Sequence, residues 1–229
     1  MFISIKKKTI ILVSAFVICV TSFLLVISFA AASATIAPPN GFVVVVDAGH
    51  GGHDGGATGV ATGAREADIN LAIARLLRDF LQQNGFEVVM TRSTRDGLYG
   101  MARTGRKMRD MEERRRIINE ASPDLVVSIH QNSFPSPRER GPQVFHAPSS
   151  ERGRATAQTM QQTMNAALDS NRTARSGDYF ILQATDYLSI LIESGFLTNP
   201  EEDRLLSTPQ HQEKVAFTIF KGIISILMG

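Results

Sequence analysis

Four successive valines, Val43–Val46, run directly into Asp47-Ala48-Gly49-His50-Gly51-Gly52-His53-Asp54-Gly55-Gly56, and this stretch limits the fold more than any other. A continuous run of branched apolar side chains needs burial on both faces, which a strand inside a helix-covered sheet provides. In such sheets ligands gather outside the carboxyl ends of the strands. Here that end opens into glycines, whose freedom lets the backbone turn tightly and brings imidazoles close to a ligand.

The segments that follow extend the same pattern. Glu66–Asn84 places Ile69, Ile73, Leu76, Leu77 and Phe80 at helical spacing and stops at Gly85, and Phe86–Thr91 predicts a second strand. Strand, loop, helix and strand in that order predict an α/β sheet with parallel neighbours. After an irregular, arginine-rich Arg92–Arg109, a helix from about Met108 to Glu120 leads into a third strand, Leu125–Ile129. Gln143–His146 and Tyr179–Leu182 read as short strands, Glu151–Ser170 as a helix, Leu188–Ile192 as a buried strand, and Pro209 onward as a last amphipathic helix. The expected fold is a single α/β domain over residues 42–229, with a central, mostly parallel or mixed twisted sheet flanked by helices and preceded by an N-terminal hydrophobic helix.

Residues 1–34 read differently from the rest. Lys6-Lys7-Lys8 precede an uncharged apolar run from Thr9 to about Ala32, long enough to span a bilayer. The lysines favour the cytoplasmic side, so the remainder is expected outside it. Ala32-Ser33-Ala34 has the form of a cleavage site, but the length of the run favours an uncleaved anchor over a signal peptide. Residues 35–41, with Pro38-Pro39-Asn40-Gly41, form a linker. Met1–Ala34 carries three lysines and no acids, so without it the net charge of +2 becomes −1, which argues against a nucleic-acid binder. The single cysteine, Cys19, lies in the apolar run, leaving His, Asp and Glu as the metal ligands of the exported part.

Three buried strands deliver His50, His130 and Glu193 at or just beyond their carboxyl ends, and Glu66 opens the helix after the first loop. Two histidines and a carboxylate around one open position form the ligand set of a catalytic zinc site, with the second carboxylate as general base to a water. Simpler roles exist for each residue. Glu66 alone would be a helix N-terminal acid favoured by the dipole, and His53 reads as a hydrogen-bonded loop residue at the edge of the cleft. The glycine loop is not a dinucleotide fingerprint, because Asp54 stands where the third glycine would fall. Arg114-Arg115-Arg116, beside Glu112-Glu113, reads as a solvated helix face rather than a polyanion site.

The motifs DAGHGG (Asp47–Gly52), EADINL (Glu66–Leu71), SIHQN (Ser128–Asn132) and IESGFLTN (Ile192–Asn199), in this order, resemble the zinc-dependent N-acetylmuramoyl-L-alanine amidases that cut peptidoglycan. Ala48 and Ser133 stand where many members have proline and alanine. The resemblance implies that His50, Glu66 and His130 hold Zn2+, that Glu193 is the catalytic base, and that Arg114 gives structural or electrostatic support. It further implies peptidoglycan as the partner, with any protein activator unknown, while the apolar run of residues 9–32 is expected to hold the protein at the outer face of the cytoplasmic membrane, or to leave it secreted if cleaved. SGDYFIL and KVAFTIFKGI are similar to the spore-cortex members of the family.

Overall fold

The computed structural model describes residues 41–229. The apolar run of residues 9–32, the cleavage-like triplet and most of the linker lie outside the described residues. No helix among the described residues is long and apolar enough to cross a membrane.

The elements are β1 (Val43–Ala48), α1 (Glu66–Gln83), β2 (Glu87–Met90), α2 (Arg106–Ala121), β3 (Leu125–Asn132), β4 (Gln143–His146), α3 (Glu151–Leu168), β5 (Arg175–Ser176), α4 (Phe180–Gln183), β6 (Ser189–Phe196), α5 (Pro200–Leu206) and α6 (Pro209–Leu227). They build one six-stranded sheet in the order β2-β1-β3-β6-β4-β5. β2, β1, β3 and β6 run parallel, while β4 pairs antiparallel with β6 and parallel with β5. The expected mixed, mostly parallel sheet with flanking helices is what forms.

The valine run shows why both faces are covered. Val44 and Val46 belong to an apolar cluster with Leu77 of α1, Met160 of α3 and Ile219 of α6, whereas Val45 belongs to a second cluster with Ile118 of α2 and Leu182 of α4. Successive side chains of a strand point to opposite faces, so four valines in a row suit a sheet sandwiched between two helical layers. Helix ends follow local chemistry. Ser150, Asn199 and Thr208 each accept backbone N–H bonds at the starts of α3, α5 and α6, and proline occupies the first turn of the last two.

Tyr179–Leu182 differs from expectation. Its tyrosine, phenylalanine and isoleucine suggest a strand, but the segment folds as the helical turn α4 with Ile181 and Leu182 buried against the second cluster. A four-residue apolar run satisfies either state, and here tertiary packing decides. The strands carrying the chemistry also run further than expected. β3 extends through His130 to Asn132 and β6 through Glu193 to Phe196, so both residues sit on the sheet rather than beyond its edge.

Candidate metal centre

Register places the first pair. In the β3–β6 ladder His130 lies directly beside Glu193, with an irregularity just after it. His50 follows β1 at the same edge of the sheet, with a left-handed backbone (φ 61°) that sparsely suits a non-glycine residue. Glu66 is the first residue of α1 and is buried.

Around Glu66 the donor atoms converge. Its Oε1 lies 3.1 Å from His50 Nε2 and 3.0 Å from His130 Nδ1. One donor atom from each of the three residues falls within 4.8 Å of the others, a grouping of His, Cys, Asp or Glu found once among the described residues. The imidazoles meet edge to face, their centroids 4.9 Å apart. Zinc bonds of about 2.0–2.1 Å in a tetrahedron set ligand atoms about 3.3 Å apart, so the donor set and its spacing fit that ion. Glu193, the second carboxylate, is buried at the same edge, and its Oε2 has no hydrogen-bond partner. An unpartnered carboxylate oxygen out of water is costly unless a ligand or proton meets it.

The electrostatics separate the two glutamates. Burial alone would raise Glu66, but hydrogen bonds and charge from His130 and His50 outweigh it and hold the carboxyl far below its ordinary value. Glu193 has no such hydrogen bonds, and burial, joined by the Glu66 charge, outweighs the charges of His130 and His50 and pushes it up to about 7. One carboxylate is therefore held ionised among nitrogen donors, while the other can take and release a proton near neutrality. Both line a cleft of about 420 Å³ with His50, His130, Asn132, Tyr179 and Phe180. A larger groove of about 990 Å³ follows the outer face of α2 and contains none of the four.

Two glycines make the approach possible. A Cβ on Gly49 would lie 2.2 Å from His130 Cε1 and Nε2, and one on Gly56 (φ 66°) would lie 2.4 Å from Glu66 Oε2. Gly49→Ala is therefore expected to push the His130 ring off its position. Displacements of about 1 Å lower rates by about 10²-fold, so activity should drop by that order and zinc titration should show weaker uptake, while circular dichroism stays native.

Arg114, expected as support, is buried under the loop. It donates to Asp47 and Asp110 and to the carbonyls of Ala48 and His50, the last at 2.7 Å. Burial would lower its pKa, but Asp47 and Asp110 raise it, so the guanidinium remains charged. His53 is exposed, its backbone N–H donating to the Tyr99 hydroxyl at 2.8 Å. Several neighbours escape sequence reasoning. Arg92, assigned to an irregular segment, is buried and donates to the carbonyls of Ala48, Gly49 and Ala67. Asn70 donates to Gly49 O and Glu66 Oε1, and its place one helical turn after Glu66 was the available signal.

The family model described as N-acetylmuramoyl-L-alanine amidase, Amidase_3, matches residues 44–225. The chain belongs to this family. It is thus a hydrolase of the amidase type, and the match spans every element from β1 to α6. The amidase is 36% identical over 194 residues to the germination-specific N-acetylmuramoyl-L-alanine amidase of Bacillus subtilis, covering 82% of this chain and 80% of that one. It is 27% identical over 229 residues to AmiA of Escherichia coli, with 80% and 75% covered. Among solved structures it is similar to the CwlD amidase of Clostridioides difficile, solved in complex with the GerS lipoprotein, with TM-score 0.79, 31% identity, and 82% and 98% of the two chains covered.

Proposed function

We propose that this amidase hydrolyses the amide joining the lactyl group of N-acetylmuramic acid to L-alanine in peptidoglycan, with His50, Glu66 and His130 as the ligands of one zinc ion and Glu193 as the general base. The observation that carries the proposal is the convergence of two imidazole nitrogens on one Glu66 oxygen beside a buried, unpartnered carboxylate. Zinc held by these residues supplies the Lewis acidity that makes water a nucleophile at neutral pH and polarises a carbonyl.

The remaining work falls to the chain. Glu193, raised by burial, accepts the proton of the attacking water and returns it to the departing amine of L-alanine. Glu66, held ionised by its two imidazoles, stays a donor and takes no proton at working pH. Arg114 and Arg92 hold the carbonyls of residues 48–50, which fixes the backbone that presents His50.

Residues 9–32 would hold the catalytic domain, residues 42–229, at the outer face of the cytoplasmic membrane through the linker of residues 35–41. Similarity to a germination-specific amidase supports a role in the spore cortex, and the relative solved with a lipoprotein supports a lipoprotein partner. The test of the metal assignment is direct. The chain is expected to take up one zinc per molecule and lose activity to a chelator, whereas a His50→Ala/His130→Ala double variant should take up none. Stoichiometric zinc in that variant refutes the ligand set.

A further inference from the structure

We propose that Asp54 is a positioning residue that fixes His50 in the tautomer able to bind the metal. This inference rests on the zinc-site reading above and concerns the other side of the imidazole.

His50 Nε2 faces Glu66, and its Nδ1 lies 2.9 Å from Asp54 Oδ1. Nδ1 is buried and has no aligned hydrogen-bond partner, so the carboxylate sits within reach but off the line of the ring N–H. A neutral imidazole that offers Nε2 to a metal must carry its proton on Nδ1, and an acceptor there sets both tautomer and ring orientation. Asp54 is the acidic group placed to receive it.

The loop is built to hold that carboxylate. Gly51 N donates to Asp54 O at 2.9 Å and Asp54 N to Gly51 O at 3.1 Å, closing a tight turn that carries residue 54 back over the ring of residue 50. Gly56 N donates to Asp54 Oδ1 at 3.1 Å, and Lys107 Nζ to Oδ2 at 3.0 Å. With Lys107 on the outer oxygen, the inner one is turned to the imidazole. Asp54 and Lys107 are both substantially exposed at the rim, with side-chain exposures of 38% and 70%, so changing either leaves the core untouched.

The experiment measures zinc dissociation constants of the full chain by competition with a chromogenic chelator, alongside thermal melts. Asp54→Asn should weaken zinc about 10–100-fold, the usual effect of removing such a partner, with an unchanged melt of the zinc-free protein. Lys107→Met removes the outer pair and leaves Asp54 facing the ring, so its zinc constant should stay within about threefold of the parent. Should Asp54→Asn fail to fold, the imidazole nitrogen spectrum of the zinc-loaded parent decides, and a proton on His50 Nδ1 is expected. The inference is overturned by Asp54→Asn binding zinc like the parent, by Lys107→Met losing as much affinity as Asp54→Asn, or by a proton on Nε2. A parent chain that takes up no zinc would instead defeat the metal-site reading on which it rests.

Discussion

Replacing Glu193 with glutamine should lower the rate of amide hydrolysis by roughly 10²–10⁴-fold, the usual worth of a positioned proton transfer, while zinc uptake is unchanged. The amide is nearly isosteric with the carboxyl, and the two imidazoles converge on Glu66 without help from residue 193. What is lost is the one carboxyl of the cleft that burial has raised to about 7. Below its pKa the parent loses the base form, so its pH profile should have an acidic limb, and Glu193→Gln should lack it. A cation at the donors favours the ionised form, so the limb of the zinc-loaded enzyme should lie below 7. Zinc lost together with activity would make Glu193 a ligand. Activity within a few-fold of the parent would move the base elsewhere, with Glu66 the nearest alternative.

The largest expected effect on stability is at Arg114. Arg114→Met leaves Asp47 as a buried carboxylate without its cation, strips the His50 carbonyl of its donor and leaves the Ala48 carbonyl with Arg92 alone. Breaking one side of a buried pair typically destabilises by about 3–5 kcal/mol, a large share of the stability of a domain this size. The effect should depend on pH with a definite sign. In the parent, burial would raise Asp47, but Arg114, Ser128 and Thr91 outweigh it and lower it from 3.8 to about 2. A depressed carboxyl stabilises the fold fully above its unfolded value and loses that contribution as pH falls through the folded one, so this part of the parent's stability should be lost between about pH 4 and 2. In Arg114→Met burial acts on Asp47 against only the Ser128 and Thr91 hydrogen bonds and the His130 charge, so the carboxyl rises from its depressed value. The variant therefore loses less stability on acidification than the parent, and the gap between them narrows below about pH 4. Urea melts across pH measure both curves. A gap independent of pH would show that lost packing, not the charge pair, is responsible.

How far the molecule was legible in its sequence follows from what each residue depends on. Val43–Val46 announce a strand buried on both sides because burial of branched side chains is a local requirement that one architecture meets. His50, Glu66, His130 and Glu193 stand out because strand ends in a parallel sheet share an edge, so position along each segment already implies proximity. Arg92 was not legible as a neighbour of the centre, because its partners are mainly backbone carbonyls from distant positions, which no spacing in the chain signals. Asn70 was signalled only by its place one helical turn after Glu66, and its bond to Gly49 O had no signal. Arg114 was misleading in another way. Its neighbours Arg115 and Arg116 are paired with Glu112, Glu113 and Glu120 on the exposed side, as a solvated helix face suggests, yet one arginine of the three turns inward to Asp47. Tyr179–Leu182 reads as a strand because four apolar residues fix no period, and the turn forms over Phe180–Gln183 instead.

The central claim is which bond is cut, and mass spectrometry of purified muropeptides digested with the zinc-loaded chain tests it most directly. The predicted products are an intact stem peptide with a free L-alanine amine and a glycan fragment with a free lactyl carboxylate, both absent from Glu193→Gln digests. Fragments cut between residues of the stem peptide, with the muramoyl amide intact, would contradict the assignment.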